Sequence, residues 1–117
     1  MLRVMAISSN HGSPHVRKMV ALIEERFAEN LSLHGLAAAI GRQEAYLGRL
    51  FREQMGVSMH EYLVNFRLAR AESLIREGQK IESVALEVGY RSRRSFYRQF
   101  KRRFGTTPGA YRTTAGS

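Results

Sequence analysis

The stretch from Ile81 to Arg112 reads I-E-S-V-A-L-E-V-G-Y-R-S-R-R-S-F-Y-R-Q-F-K-R-R-F-G-T-T-P-G-A-Y-R. Glycines at positions 89 and 105 divide it into a short helix, a turn and a second helix. In the second helix Phe96, Phe100 and Phe104 recur every four residues, so they share one flank. This flank is predicted to pack in a core, whereas a stacking platform for single-stranded nucleic acid is the less favoured interpretation.

The opposite flank of the second helix is basic. At 100° per residue, Arg94, Arg98 and Lys101 lie together, with Tyr97 beside them. From position 91 to position 103 there are seven basic residues and no acidic one. The pattern therefore predicts a helix that buries one flank and inserts the other into a polyanion groove.

Composition narrows the possible classes of protein. The chain has 117 residues, which indicates one domain or two very small ones, and 44% of the residues are hydrophobic, enough for a core. Its net charge of +9 makes nucleic acid the leading partner and an anionic membrane surface the second. The absence of cysteine excludes disulfides, thiol catalysis and cysteine-based zinc sites. No apolar run approaches the roughly 18 residues of a spanning helix, and no signal peptide is recognisable. We expect a soluble cytoplasmic protein.

Apolar spacing along the whole chain predicts an all-α fold of about seven helices. The expected helices cover 13–29, 33–40, 43–55, 58–77, 81–88 and 93–104, with a short turn of helix at 108–111. The expected organisation is a flexible N-terminal arm (1–12), a first helix-turn-helix subdomain (13–57), a linker helix (58–78), a second helix-turn-helix subdomain (79–112) and a polar tail (113–117).

An internal repeat supports two helix-turn-helix units. An apolar set ending in Gly41 lies 48 residues before an equivalent set ending in Gly89, and the offset then becomes 49. At that offset Arg49 matches Arg98, and Phe51 matches Phe100. The alternative is two generic helical hairpins that both need a core. The second helix of such a unit lies in the major groove, and a linker helix of roughly 30 Å would suit two segments about 34 Å apart.

The sequence resembles the AraC/XylS family of bacterial transcription regulators over about residues 14–112. The resemblance is carried by the pattern I81-x-x-V-A-x-x-V-G-Y-x-S92-x-x-x-F-x-R98-x-F-K-x-x-F-G105-x-T-P108-x-x-Y-R112. It implies a seven-helix DNA-binding domain that activates or represses promoters. Family members usually add a ligand-sensing or dimerisation domain, for which this chain has no room. The sequence leaves open whether the chain is a complete small regulator or part of a longer one.

Three departures from the family pattern fall in the first unit. Gln43 stands where a capping serine is usual, and Met59 replaces the proline that Pro108 represents. Gly48 lies inside the first recognition helix, which costs about 1 kcal/mol relative to alanine. We therefore expect the first unit to hold DNA less firmly.

Helical geometry and the repeat predict which side chains face DNA. The residues expected to read bases are Ala45, Gly48, Arg49, Arg93, Arg94, Tyr97 and Arg98. Those expected to hold phosphates are Arg52, Arg91, Lys101 and Arg112. Arg49 and Arg98 can each offer a bidentate fork to guanine, whereas the alanine and glycine permit close approach. The alternative for each of these arginines is a solvated surface charge. The same alternative applies to Arg102 and Arg103, which are outside the predicted set.

No pattern predicts catalysis, a metal site or a cofactor. The chain has no aspartate, and its four histidines lack metal-ligand spacing. Tyr111 is expected to be a packed, hydrogen-bonded tyrosine. The leading hypothesis is a monomeric, sequence-specific binder of double-stranded DNA, an activator or a repressor. The alternatives are a nonspecific basic nucleic-acid-binding module of nucleoid type, a module that contacts RNA polymerase, and an amphipathic membrane-surface helix.

Overall fold

A computed structural model describes residues 12–115, and the regular secondary structure in this part of the chain is entirely α-helical. Its seven helices are α1 (Pro14–Arg26), α2 (Leu33–Ile40), α3 (Glu44–Met55), α4 (Met59–Arg76), α5 (Ile81–Glu87), α6 (Arg93–Phe104) and α7 (Pro108–Ala115). The predicted all-α class and helix number are confirmed. The predicted N-terminal arm lies outside the described residues, except for Gly12.

Two helix ends differ from the prediction. α1 ends at Arg26 instead of running to position 29, and the Glu29 amide donates a 2.9 Å bond to the Arg26 carbonyl in the turn that follows. α7 is longer than the predicted single turn, so residues 113–115 of the expected tail are helical. Thr107 Oγ1 accepts from the Ala110 amide at the start of α7, and Thr113 Oγ1 donates to a carbonyl one turn back.

Caps fix the starts of the recognition helices unequally. The Ser92 hydroxyl accepts a 3.2 Å bond from the Ser95 amide at the start of α6. Gln43 occupies the same position before α3 and makes no such bond, as its departure from the family pattern predicts. Both helices end at a glycine with a left-handed backbone, Gly56 at φ 81° and Gly105 at φ 79°.

The chain divides into two compact units, and the division falls inside α4, after Leu63. In unit 1, α1, α2 and α3 pack against one another around fully buried side chains. The buried core of this unit is Val16, Met19, Ile23, Leu36, Ala37, Leu47, Phe51, Met55, Met59 and Leu63. The sequence prediction treats 58–78 as a separate linker helix, whereas the structural division assigns the start of α4 to unit 1 and the rest of α4 to unit 2.

In unit 2, α6 packs against both α5 and α7. Phe96 and Phe100 are fully buried, and the Phe100 ring lies 4.5 Å from that of the partly buried Phe104. The predicted phenylalanine row is therefore a core stripe. Other buried side chains of this unit are Leu68, Ala71, Leu74, Ile75, Val84, Ala85, Val88 and Tyr90.

Candidate nucleic-acid interface

Each recognition helix buries one flank and exposes the other. In α3, Leu47 and Phe51 are fully buried while Arg49 is exposed. In α6, Phe96 and Phe100 are fully buried while Arg98 is exposed. The remaining exposed positions among the predicted DNA contacts are Ala45, Arg52, Arg91, Arg93, Arg94 and Lys101. In both units the buried stripe turns the predicted base-reading flank outward.

Arg49 and Arg98 occupy equivalent, unobstructed positions. Within residues 12–115, neither guanidinium makes an ion pair or a side-chain hydrogen bond. Each is therefore available to a ligand. A free guanidinium presents a fork of N–H donors, which matches the two acceptors that guanine shows in the major groove.

Arg93 is held in place by its neighbours. Its Nη2 donates a 3.3 Å bond to the Tyr97 hydroxyl, and its guanidinium lies 5.0 Å from the centre of that ring. Its Nη1 also lies 3.7 Å from a Glu82 carboxylate oxygen. The hydrogen bond to Tyr97, and then the charges around it, raise the pKa of Arg93. Arg93 and Tyr97, both predicted base readers, thus form one local cluster.

The structure shows a packing role for Gly48, for which the sequence predicts close approach to DNA. A Cβ atom built at this position would lie 2.9 Å from Leu33 Cδ2 on α2. The missing side chain therefore lets α3 pack closely on α2. Gly48 is also only partly exposed, unlike Ala45 in the preceding turn.

Arg112 is the predicted phosphate contact that fits least well. Its side chain is only partly exposed, and its Nε and Nη2 atoms are shielded from solvent. Neither nitrogen has a hydrogen-bond partner among the described residues. A phosphate on the surface cannot reach these two donors as they stand, because they face the protein interior.

A pair of residues in each unit was missed by the sequence interpretation. On α2, His34 Nδ1 donates to Glu44 Oε1, the first residue of α3, over 3.1 Å. The corresponding pair in unit 2 is Glu82 and Arg93, displaced by the same 48 and 49 residues as the rest of the repeat. The carboxylate lies on the recognition helix in unit 1 and on the preceding helix in unit 2. The repeat offsets of 48 and 49 residues, which also match Arg49 to Arg98, are the sequence signal that locates both pairs.

The two recognition helices differ in charge. α3 has the sequence EAYLGRLFREQM, in which two arginines are balanced by two glutamates. α6 has the sequence RRSFYRQFKRRF, with six cationic residues and no acidic one. Unit 2 therefore presents the stronger attraction to a polyanion.

Within residues 12–115, no helix is both long enough and apolar enough to cross a membrane. The same residues contain no group of three or more histidine or acidic side chains that could hold a metal ion.

Comparisons with known proteins agree with this architecture. A family model described as a helix-turn-helix domain matches residues 36–114. An uncharacterised HTH-type transcriptional regulator of Staphylococcus aureus (strain COL) is 36% identical over 98 residues, which cover 83% of this chain and 13% of that protein. A similar regulator of Bacillus subtilis (strain 168) is 30% identical over 80% of this chain and 12% of its own length. The chain thus spans a small part of these relatives.

Solved structures show the same fold. The C-terminal domain of AraT, a response regulator from Geobacillus stearothermophilus, has a TM-score of 0.87 and 29% identity, over 90% of this chain and 88% of that one. The DNA-binding domain of AdpA, a global transcriptional factor solved in complex with a target DNA, has a TM-score of 0.81 and 27% identity, over 87% of this chain and 93% of that one. The chain belongs to the AraC-type helix-turn-helix family, the DNA-binding domains of transcription regulators.

Proposed function

We propose that this domain binds specific sites on double-stranded DNA and regulates transcription by inserting α3 and α6 into two adjacent major-groove segments. The observation that carries the proposal is the repeated pair of exposed arginines, Arg49 and Arg98, each on a recognition helix whose opposite flank is buried. A recognition helix presents its outward side chains to base edges in this docking geometry.

The two helices contribute differently to binding. Arg49 and Arg98 read guanine, and each well-placed bidentate contact is worth roughly 1–3 kcal/mol of discrimination between bases. Lys101 and Arg52 hold phosphates, which position the protein without reading sequence. Because α6 carries six cations and α3 is balanced, unit 2 supplies most of the salt-dependent affinity.

The proposal extends to partners and location. The domain acts by binding and not by catalysis, as a monomer, in the bacterial cytoplasm on nucleoid DNA. Contact with RNA polymerase would allow it to act as an activator at promoters. A nonspecific nucleoid-type binder is the second candidate, favoured by the net charge of +9 and the acid-free surface of α6.

Selection from random duplexes, followed by titration of the best site and of a scrambled duplex, tests the proposal. We expect the wild-type chain to prefer its selected site by at least 10³-fold at moderate salt. Equal affinity for the two duplexes would favour the nonspecific module.

Matched arginine variants test the assigned roles. Arg98→Ala should weaken binding to the selected site and relax the preference at one base pair. Arg102→Ala, also on α6, should weaken binding to both duplexes alike and flatten the salt dependence. An unchanged footprint and base preference in Arg98→Ala would remove that residue from base reading.

A further inference from the structure

The first side chain of each recognition helix is paired with a side chain on the preceding helix. In unit 1, His34 Nδ1 on α2 is 3.1 Å from Glu44 Oε1 on α3. In unit 2, Glu82 Oε2 on α5 is 3.7 Å from Arg93 Nη1 on α6. The same two positions are joined in both units, with the acidic and basic partners exchanged.

We propose that Glu44 is a specificity-determining residue, which accepts a hydrogen bond from the N4 amine of a cytosine in the DNA segment read by α3. His34 is the positioning residue that orients the carboxylate. This inference rests on the proposed DNA-binding function and assigns a base preference to a residue outside the set of predicted DNA contacts.

The carboxylate is accessible and only partly engaged. The Glu44 side chain is 50% exposed, and His34 contacts Oε1 alone. The second oxygen remains available as an acceptor. The N-terminal residues of a recognition helix are those that meet base edges in the major groove, and Glu44 is the first residue of α3. Its neighbour Ala45 has no polar side-chain atom that would compete.

The chemistry of the groove edges selects cytosine. A carboxylate only accepts hydrogen bonds, so the acceptors on guanine (O6 and N7) and thymine (O4) repel it. Adenine offers an amine, but its N7 acceptor lies beside that amine. Cytosine itself presents only its N4 amine in the major groove and no acceptor of its own, and it is therefore the base that a carboxylate fits best.

A glutamate at this position does not serve affinity. Its charge repels the phosphate backbone, and together with Glu53 it cancels the charges of Arg49 and Arg52 on the same helix. Its effect is to penalise duplexes that lack a matching amine, since the carboxylate would then lose water without gaining a donor. Discrimination through such a penalty explains why an acidic residue can be useful in a basic protein.

The role of His34 is orientation and not stability. Its side chain is 84% exposed, and exposed ion pairs contribute little to folding free energy. Its bond to Oε1 restricts the rotamers of Glu44, and Oε2 has no hydrogen-bond partner among the described residues. In unit 2 the reversed pair places Glu82 Oε2 at 3.7 Å from Arg93 Nη1, at the equivalent positions of α5 and α6.

Selection from random duplexes with single-residue variants tests the assignment. The wild-type consensus should contain a cytosine in the segment read by α3, favoured on the order of tenfold over the other bases. Glu44→Ala should lose this preference alone and bind unrelated duplexes slightly more tightly. Glu44→Gln should shift the preference to adenine, because an amide pairs with N6 and N7 together. Glu53→Gln removes a second carboxylate from α3 and should leave the base preference unchanged.

Exchange of the pair gives the sharper test. The double variant His34→Glu, Glu44→Arg copies the arrangement of unit 2 and should convert the cytosine preference into a guanine preference. His34→Ala should weaken the cytosine preference without changing the unfolding midpoint, and His34→Gln, which retains a donor, should restore part of it.

The outcomes separate the two proposals. A wild-type chain that selects one site, combined with Glu44 variants whose consensus matches the wild-type consensus at every position, overturns the role of Glu44 and leaves the DNA-binding function standing. A wild-type chain that selects no site overturns the DNA-binding function itself.

Discussion

The Tyr62 hydroxyl donates a 2.7 Å hydrogen bond to Glu24 Oε2, which joins the start of α4 to α1 within unit 1. The same contact recurs in unit 2, where Tyr111 donates to Glu72, 49 and 48 residues further along the chain. Each tyrosine also packs edge-on against a recognition-helix phenylalanine: the ring centres are 5.7 Å apart for Tyr62 and Phe51. For Tyr111 and Phe100 they are 5.6 Å apart. In each unit, therefore, a tyrosine packs against the buried flank of the recognition helix, and a hydrogen bond to a glutamate holds that tyrosine in place.

This contact predicts the effect of removing one hydroxyl. Tyr62→Phe keeps the ring against Phe51 but leaves the Glu24 carboxylate without its donor, so the free energy of unfolding should fall by about 1 kcal/mol. Urea denaturation followed by circular dichroism measures the change. Tyr46→Phe is the matched control, because the hydroxyl of this exposed tyrosine makes no hydrogen bond within the described chain. Equal stability of the two variants would show that the bond to Glu24 contributes nothing.

The same tyrosine predicts a dependence on alkaline pH. Burial, followed by the hydrogen bond to Glu24, raises the pKa of Tyr62 above its ordinary value of 10.0. Above pH 10 the unfolded chain loses this proton while the folded chain keeps it, so the unfolded state binds fewer protons and stability falls as pH rises. The contribution of the protonated Tyr62 hydroxyl to the free energy of unfolding is fully present below pH 10. The difference in unfolding free energy between wild type and Tyr62→Phe should shrink from pH 9 to pH 11; a difference constant over that range would contradict this account.

The unequal caps predict opposite effects of two substitutions. Gln43→Ser should give α3 the side-chain cap that it lacks and raise the free energy of unfolding by about 0.5–1 kcal/mol. Ser92→Ala removes the existing cap of α6 and should lower it by about 1 kcal/mol. Thermal unfolding of both variants beside wild type measures the two changes. An unchanged stability of Gln43→Ser would contradict this prediction. It would mean that the backbone at position 43 keeps the serine hydroxyl from the amide three residues later, in the first turn of α3.

Gly48 predicts a coupling between α3 and α2. Alanine at this position gains about 1 kcal/mol of helix propensity, but its Cβ displaces the end of the Leu33 side chain, so the net change should be smaller than that gain. In a Leu33→Ala background, Gly48→Ala should recover the full gain. A double-mutant cycle measured by urea denaturation reports the coupling. Strict additivity of the two substitutions would mean that Leu33 moves aside without cost.

Much of the fold could be predicted from the sequence because its signals are local. The four-residue recurrence of Phe96, Phe100 and Phe104 defined a helix with one buried flank, and proline and serine marked the helix starts. The internal repeat then identified two similar units, in which Arg49 and Arg98 occupy equivalent positions. The same helical periodicity that predicted the buried aromatic side chains also predicted which cationic side chains are exposed.

Other features depended on contacts between residues distant in sequence. Nothing local to Gly48 indicates that its missing side chain accommodates Leu33, and nothing local to Arg112 indicates that two of its nitrogens face inward. The bonds from Tyr62 to Glu24 and from His34 to Glu44 link separate helices. The sequence by itself determined the helices, their buried flanks and the basic surface, because these follow from the order of residue types. Only the tertiary structure decided which polar side chains meet, because such pairs depend on how the helices pack within each unit.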